Sequence, residues 1–373
     1  MVSNHRPTKV IVDLEAIQAN LHAQKAQLAE HQEIFAVVKA NAYGHGAVPV
    51  AYAAKEAGAT GFCVATIDEG VELRQAGLTE ETILVLGVIP SYEAVYAAQY
   101  DLSVATGQIE FLHEAQELLA REAQKLKVHL ALDTGMGRIG VSQADELQAL
   151  VTFLEHSPEQ FDFEGVFTHF AQADAADTSY YQKQVAKFNE LVTQINPQPR
   201  YVHSANSATA QWHRDNPSNV VRMGISLYGL NPSGHELQPT TALKPALSLV
   251  SELAFVKKVP RGTALGYGST YVSPSEEWIG TIPIGYADGW LRRMQGFEIL
   301  IAGQKCPIVG RVCMDQLMVR LPGKLAVGSP VTLIGRDGDL EITAQDVADY
   351  AQTISYEVLC NLTDRLPRVY RGN

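Results

Sequence analysis

Between residues 30 and 230, short runs rich in valine, isoleucine, leucine and phenylalanine alternate with longer stretches whose apolar residues recur at helical spacing. The runs predict strands near 34–38, 62–65, 83–87, 102–105, 128–133, 165–169, 201–204 and 220–222. The stretches 47–57, 68–76, 109–125 and 180–195 predict helices. About eight such βα units predict an α/β fold with an N-terminal (β/α)8 TIM-like barrel, whose usual size is about 250 residues. After about residue 240 the pattern turns to strand-like runs separated by turns, as in ALSLVSELAFVKKV and FEILIAGQKCPIVG, with no helical alternation. The expected division is therefore a barrel over 1–240 and a mainly β domain over 241–373. Within the latter, Thr343 and Asp346 form a capping-box pattern opening a helix through Tyr350, and the segment 355–371 is expected to return to the barrel.

Composition narrows the classes. The 373 residues are 46% hydrophobic and 19% charged, which is ordinary globular usage. A net charge of -12 argues against an extended nucleic-acid partner, which needs a basic stripe. The longest apolar stretches, such as ILVLGVI at 83–89, are far too short to span a bilayer, and no basic end followed by an apolar core opens the chain. A soluble cytoplasmic protein is the expectation. Four scattered cysteines, without CxxC spacing or an HExxH pair, give no support for a metal site or a disulfide framework.

Barrel enzymes build their sites at the carboxyl ends of the strands, and unusual polar residues collect there. Lys39 ends the apolar run of IFAVVKANAYGHG. A buried amine has a lowered pKa and can attack a carbonyl to form a Schiff base, whereas a strand-end lysine can also simply reach for solvent. The polar, glycine-containing loop behind it, with Asn41, Tyr43, Gly44, His45 and Gly46, suits an anionic ligand. Arg138 follows the fifth run, His169 ends the sixth, Asn206 and Ser207 follow the seventh, and Arg222 ends the eighth. Gly135-Met-Gly137-Arg-Ile-Gly140 also matches GxGxxG after a predicted strand, so a dinucleotide-dependent oxidoreductase competes. Against it, the motif lies on the fifth unit, and Arg138 inside it would crowd a pyrophosphate while suiting a carboxylate.

Together AVVKANAYGHG, DTGMGRIG, THFAQAD, HSANSA, VRMGISLYG, GYGSTY and GRVCMDQ resemble the alanine racemases, pyridoxal-phosphate enzymes of bacterial cell-wall supply. The resemblance runs nearly end to end, and GYGSTY and CMDQ separate the chain from barrel-only cofactor carriers and from decarboxylases of similar architecture. It implies interconversion of L- and D-alanine, with D-alanine going to peptidoglycan, by a homodimer with shared sites and no metal. Lys39 would carry pyridoxal 5'-phosphate as a Schiff base; Tyr43, Ser207, Tyr356 and the amides of Gly224 and Ile225, at a helix start, would hold the phosphate. Arg222 would face the ring nitrogen and limit transamination, in a cofactor shell that includes His169 and Asn206.

Racemisation needs a base on each face of Cα. By resemblance these are Lys39 for the D enantiomer and Tyr267 of the partner subunit for the L, the phenol assisted by His169, Arg222 and His203. Arg138 and the backbone of Met314 would hold the substrate carboxylate, with Asp315 nearby. Tyr286, Arg292, Arg311 and Asp174 would line the access passage, and Tyr267, Tyr286 and Tyr356 would crowd out side chains larger than methyl. Where many relatives have a lysine, often carbamylated, seven residues before this arginine, the chain has Ala131; the expectation is that another acid, a chloride or water holds Arg138. Cys313 receives no role. A barrel-type decarboxylase, a broader racemase and a non-catalytic cofactor carrier are the alternatives, separated by product chirality and carbon dioxide release.

Overall fold

The computed structural model describes residues 2–216 and 218–372. The chain forms two compact units: a barrel unit of residues 16–42 and 47–244, and a β unit made of the residues through Glu15, the short segment Tyr43–Gly46, and the chain from Pro245 onward.

The barrel unit contains strands β2 (Glu33–Val37), β3 (Gly61–Val64), β4 (Thr82–Val85), β5 (Ser103–Thr106), β6 (Leu126–Ala131), β7 (Phe161–Phe167), β8 (Tyr201–His203) and β9 (Val220–Met223). They form one eight-stranded sheet in the order β8-β7-β6-β5-β4-β3-β2-β9, and each named pairing is parallel. A parallel bridge between Ala205 and Val221, with Arg222 N donating to Ala205 O at 2.9 Å, joins the β8–β9 seam and nearly closes the barrel. Every residue of β3, β5 and β9 is buried, which is why these strands show no polar–apolar alternation, although Ser103, Thr106 and Arg222 lie within them. The outer helices follow the opposite logic. Over Ile109–Arg121, Phe111, Leu112, Ala115 and Leu119 make one buried stripe and the charged residues lie outside it.

The β unit holds a seven-stranded sheet in which β1 (Lys9–Asp13) lies between the antiparallel β10 (Leu247–Glu252) and the parallel β20 (Arg368–Arg371). The final segment of the chain therefore ends on the amino-terminal strand, and Arg368 Nε also donates to Gly44 O at 3.1 Å. A three-stranded sheet, β11 (Phe255–Val259), β14 (Glu277–Ile282) and β17 (Leu317–Leu321), and a two-residue hairpin, β12 (Ala264–Leu265) with β13 (Tyr271–Val272), complete the part that carries Tyr267. The helix Ala344–Ala351 opens on the expected capping box: Thr343 Oγ1 accepts from Asp346 N at 3.0 Å, and Thr343 N donates to Asp346 Oδ2 at 2.7 Å. Among the described residues no helix is long and apolar enough to cross a membrane.

Candidate active site

Lys39 stands where β2 gives way to an unusual turn. Ala40, Asn41, Ala42 and Tyr43 all have φ of 52–53°, a left-handed run that costs non-glycine residues roughly 1–2 kcal/mol each. Local hydrogen bonds offset that cost. Glu69 Oε1 accepts from Ala40 N at 2.7 Å, Ala42 N donates to Val38 O at 2.8 Å, and Asn41 Oδ1 accepts from Ala47 N at 2.8 Å. Glu69 closes the capping box with Thr66 on the next helix, so one carboxylate fixes both that helix start and the backbone beside Lys39. Sequence reasoning missed Glu69, although Thr66-x-x-Glu69 is a capping-box signature.

Around the amine the barrel unit gathers Arg138, His169 and Arg222. Burial lowers the Lys39 pKa from the ordinary lysine value, and the positive charges of Arg138 and Arg222 add to that, against Cys63 and Glu69. His169 is pushed down to about 3, by burial first and then by Arg222, Arg138 and Lys39, so its imidazole is neutral at physiological pH. Arg222 is buried and pushed down to about 10, mainly by burial, and still carries its proton at neutral pH.

Four of the five Arg222 N–H groups are committed. Nη1 donates to His203 Nδ1 at 2.7 Å and to His203 O at 3.1 Å; Nη2 donates to Thr168 O at 2.8 Å and to His169 Nδ1 at 3.3 Å. The hydrogen bonds of Arg222 among the described residues all leave from Nη1 and Nη2, so the fifth donor, Nε–H, can serve a ligand. Because arginine only donates, both histidines present a lone pair at Nδ1 and carry their proton on Nε2.

Beyond β8 and β9 the predicted anion ligands are adjacent. Ser207 Oγ accepts from Gly224 N at 2.9 Å and from Ser226 N at 3.4 Å, while Ser226 Oγ is buried with no hydrogen-bond partner among the described residues. Ile225 starts a four-residue 3-10 turn, not the full helix start read from sequence. Asn206 caps the helix Ser207–Trp212, its Oδ1 accepting from Thr209 N at 2.9 Å, which fixes Ser207 at the first position. In the β unit the rings of Tyr43 and Tyr356 are 5.9 Å apart.

The glycine motif has no phosphate geometry. Gly135 and Gly137 both donate their amides to Asp133 Oδ1, at 2.9 and 3.0 Å, and no helix begins until Ala144. The loop folds on its own aspartate, and the dinucleotide reading falls. Arg138 is exposed on it. Ala131, where many relatives have a lysine, packs in an apolar cluster with Ala105, Phe167, Leu86 and Ile139. Asp174 lies in the loop between β7 and the helix Ser179–Val192.

The other predicted residues share one surface of the β unit. Tyr267 is 70% exposed on a turn where Gly266 and Gly268 have φ of 73° and 72°. A Cβ on Gly268 would lie 3.0 Å from Arg311 Nη1, so glycine lets the Tyr267 turn rest on that guanidinium. Tyr286 N donates to Cys313 O and Ala287 N to Met314 O, both at 3.0 Å, tying the Tyr286 loop to the Arg311–Asp315 loop. Arg292 begins the next 3-10 turn.

Beneath these loops Asp288 is fully buried and accepts from Arg6 Nη2 at 2.6 Å and from Gly285 N at 3.0 Å, with Arg365 Nε at 3.3 Å. Arg365 in turn donates to Asp315 at 2.8 Å. Asp288→Ala should cost about 3 kcal/mol, the low end for breaking a buried pair because both arginines can rehydrate. A urea midpoint followed by tryptophan fluorescence checks this, and an unchanged midpoint would remove Asp288 from the support of the loops.

The family model "Alanine racemase, N-terminal domain" matches residues 12–232, and "Alanine racemase, C-terminal domain" matches 246–370. The chain is 59% identical over 371 residues to an alanine racemase of Ligilactobacillus salivarius, covering 100% of both chains. Among solved structures it resembles an alanine racemase from E. faecalis, with TM-score 0.97, 52% identity and 100% of both chains covered. It also resembles a histidine racemase from Leuconostoc mesenteroides, with TM-score 0.94, 35% identity and the same coverage. The protein is an isomerase with a barrel and a β domain. More narrowly, the chain belongs to the alanine racemase family.

Proposed function

We propose that this protein interconverts L- and D-alanine with pyridoxal 5'-phosphate bound at Lys39, as a homodimer in which Tyr267 of the partner subunit is the second base. The reading is carried by the convergence on one barrel rim of a lysine with lowered pKa, two arginines and a neutral histidine.

The residues fit the cofactor. Lys39 supplies an amine for the aldehyde, Arg222 leaves Nε–H for the ring nitrogen, and Ser207, Gly224, Ile225 and the orphaned Ser226 hydroxyl offer polar groups to a phosphate. When bound, pyridoxal phosphate withdraws electrons from the substrate's α-carbon and so acidifies its proton.

The chain's own groups do the rest. Lys39 accepts the proton on one face and, in the reverse direction, returns it. Tyr267 does the same on the opposite face, and its exposure at the tip of a turn, beside exposed Tyr286 and Met314, supports use by a second copy. His169, with its proton on Nε2, can donate to the phenolate, which offsets the high intrinsic pKa of a phenol, about 10. Arg138 and the Met314 backbone hold the carboxylate. Arg222, still protonated at neutral pH, would face the ring nitrogen as a donor and so would disfavour its protonation, limiting transamination. Supply of D-alanine to peptidoglycan and a cytoplasmic location complete the reading.

Borohydride reduction of the pyridoxal-phosphate-loaded protein, followed by peptide mass analysis, tests the anchor. The phosphopyridoxyl adduct is expected on Lys39 and should disappear in Lys39→Ala. An adduct confined to other lysines would remove Lys39 from the mechanism.

A further inference from the structure

Arg222 is buried, and its four protein acceptors are neutral: two backbone oxygens and two imidazole nitrogens. A buried cation normally needs a counter-charge. One is reached through a hydrogen-bonded chain inside the barrel. His203 Nε2 lies 2.8 Å from His129 Nδ1, and His129 Nε2 lies 2.9 Å from Glu164 Oε2, which also accepts from Ser103 Oγ. His129, His203 and Ser103 have no exposed surface, and Glu164 has 7%.

We infer that Glu164 is a positioning residue for Arg222, acting through His129 and His203 as a one-way relay of hydrogen bonds. Donor counting leaves a single arrangement. Arginine cannot accept, so His203 Nδ1 is a lone pair and the proton sits on Nε2. That proton occupies His129 Nδ1, so His129 in turn carries its own proton on Nε2 and donates it to Glu164. Both donors converge on Oε2; burial pushes the Glu164 pKa up, but the contacts with His129 and Ser103 and the charge of Lys127 hold it below the usual carboxylate range, so Glu164 is ionised at neutral pH. A second proton on His129 would point Nδ1–H at the Nε2–H of His203. The relay therefore fixes both tautomers and turns the acceptor of His203 toward the guanidinium, leaving Nε–H directed to the ligand.

The backbone is shaped for this chain. The β6–β7 register slips between Val128 and His129, pairing Val128 with Phe163 and His129 with Gly165, so Glu164 is the extra residue of a bulge. Bulges re-aim side chains. The neighbouring Gly165 makes room for the ring: a Cβ there would lie 2.4 Å from His129 Nδ1. Phe167 stacks on His203 at 5.1 Å and lies 5.5 Å from the Arg222 guanidinium, fixing both planes.

Neutron diffraction of the perdeuterated protein loaded with pyridoxal phosphate tests the relay without an activity assay. Deuterium is expected on Nε2 of His203 and of His129, with none on Nδ1 of either and none on Glu164. Deuterium on Nδ1 of either ring, or on the carboxyl, would overturn the proposal.

The kinetic arm rests on the racemase reading. Glu164→Leu removes the acceptor and should lower kcat by about 10- to 100-fold with little change in KM, the size expected from slight misplacement of a reacting group. Glu164→Gln keeps a carbonyl acceptor for His129 and should recover most of kcat. Equal rates in the two variants would show that Glu164 serves stability alone, and should Glu164→Leu not fold, failure of Glu164→Gln to retain kcat decides the same point. Absence of alanine racemisation in the unmodified protein would defeat the proposed function and leave the neutron result standing.

Discussion

Tyr267→Phe should slow removal of the α-proton from L-alanine by about 10²–10⁴-fold, the usual contribution of a positioned acid–base group. Proton exchange from D-alanine should persist, because Lys39 serves that face. The measurement is washout of α-deuterium from each enantiomer, followed separately in the pyridoxal-phosphate-loaded variant. The substitution is a clean one. Tyr267 is 70% exposed on its own chain, so removing its hydroxyl unpairs no buried group within that chain and its fold should be unaffected. Equal slowing from both enantiomers would place Tyr267 in substrate binding and not in proton transfer, and exchange at the unmodified rate from L-alanine would remove it from the reaction.

The two faces differ in how their bases are prepared. Lys39 is prepared within its own barrel, where burial and two arginines lower its pKa, so a larger fraction is the free amine at neutral pH. Tyr267 is held by backbone shape, on a turn with glycines at 266 and 268, and the group suited to stabilise its phenolate, His169, lies in the barrel unit. In the proposed mechanism, a base prepared in this divided way would tie the L-alanine half of the reaction to assembly.

How much of this could be read from the chain depends on the distance over which each residue acts. The barrel strands were legible because burial on both faces concentrates apolar residues in them, and the predicted runs fall on β2 through β9 to within a few residues. Lys39 and Arg222 were legible because charge at the end of an apolar strand is expensive unless something uses it, and Arg138 and His169 because they follow or end such runs on the same rim. β1 was not, since five residues of mixed pattern acquire strand character only by pairing with β10 and β20, far away in sequence. Glu164 and His129 lie inside strands, where a polar residue looks like an outward-facing position; only the bulge aims Glu164 at His129. The left-handed run after Lys39 was hidden for another reason. Its residues include two alanines with no preference for that conformation, and the carboxylate that steadies it belongs to Glu69, one βα unit later.

Mixing two inactive variants should restore activity. Lys39→Ala removes the amine from its own barrel and Tyr267→Phe removes the phenol, so each homodimer alone should retain only a trace of racemisation. A two-fold dimer with shared sites behaves differently when subunits exchange. In a hybrid, one site combines both lesions, and the other pairs an intact Lys39 with an intact Tyr267. Random exchange makes half the dimers hybrid with one good site in two, so the mixture should reach about a quarter of the unmodified activity. Exchange in mild denaturant, followed by an alanine racemisation assay and affinity purification of a singly tagged hybrid, measures it. If each chain used its own Tyr267, every site would keep a lesion in any combination, and the mixture would stay as inactive as its parts. The result thus separates a phenol supplied by the second copy from one supplied within the chain.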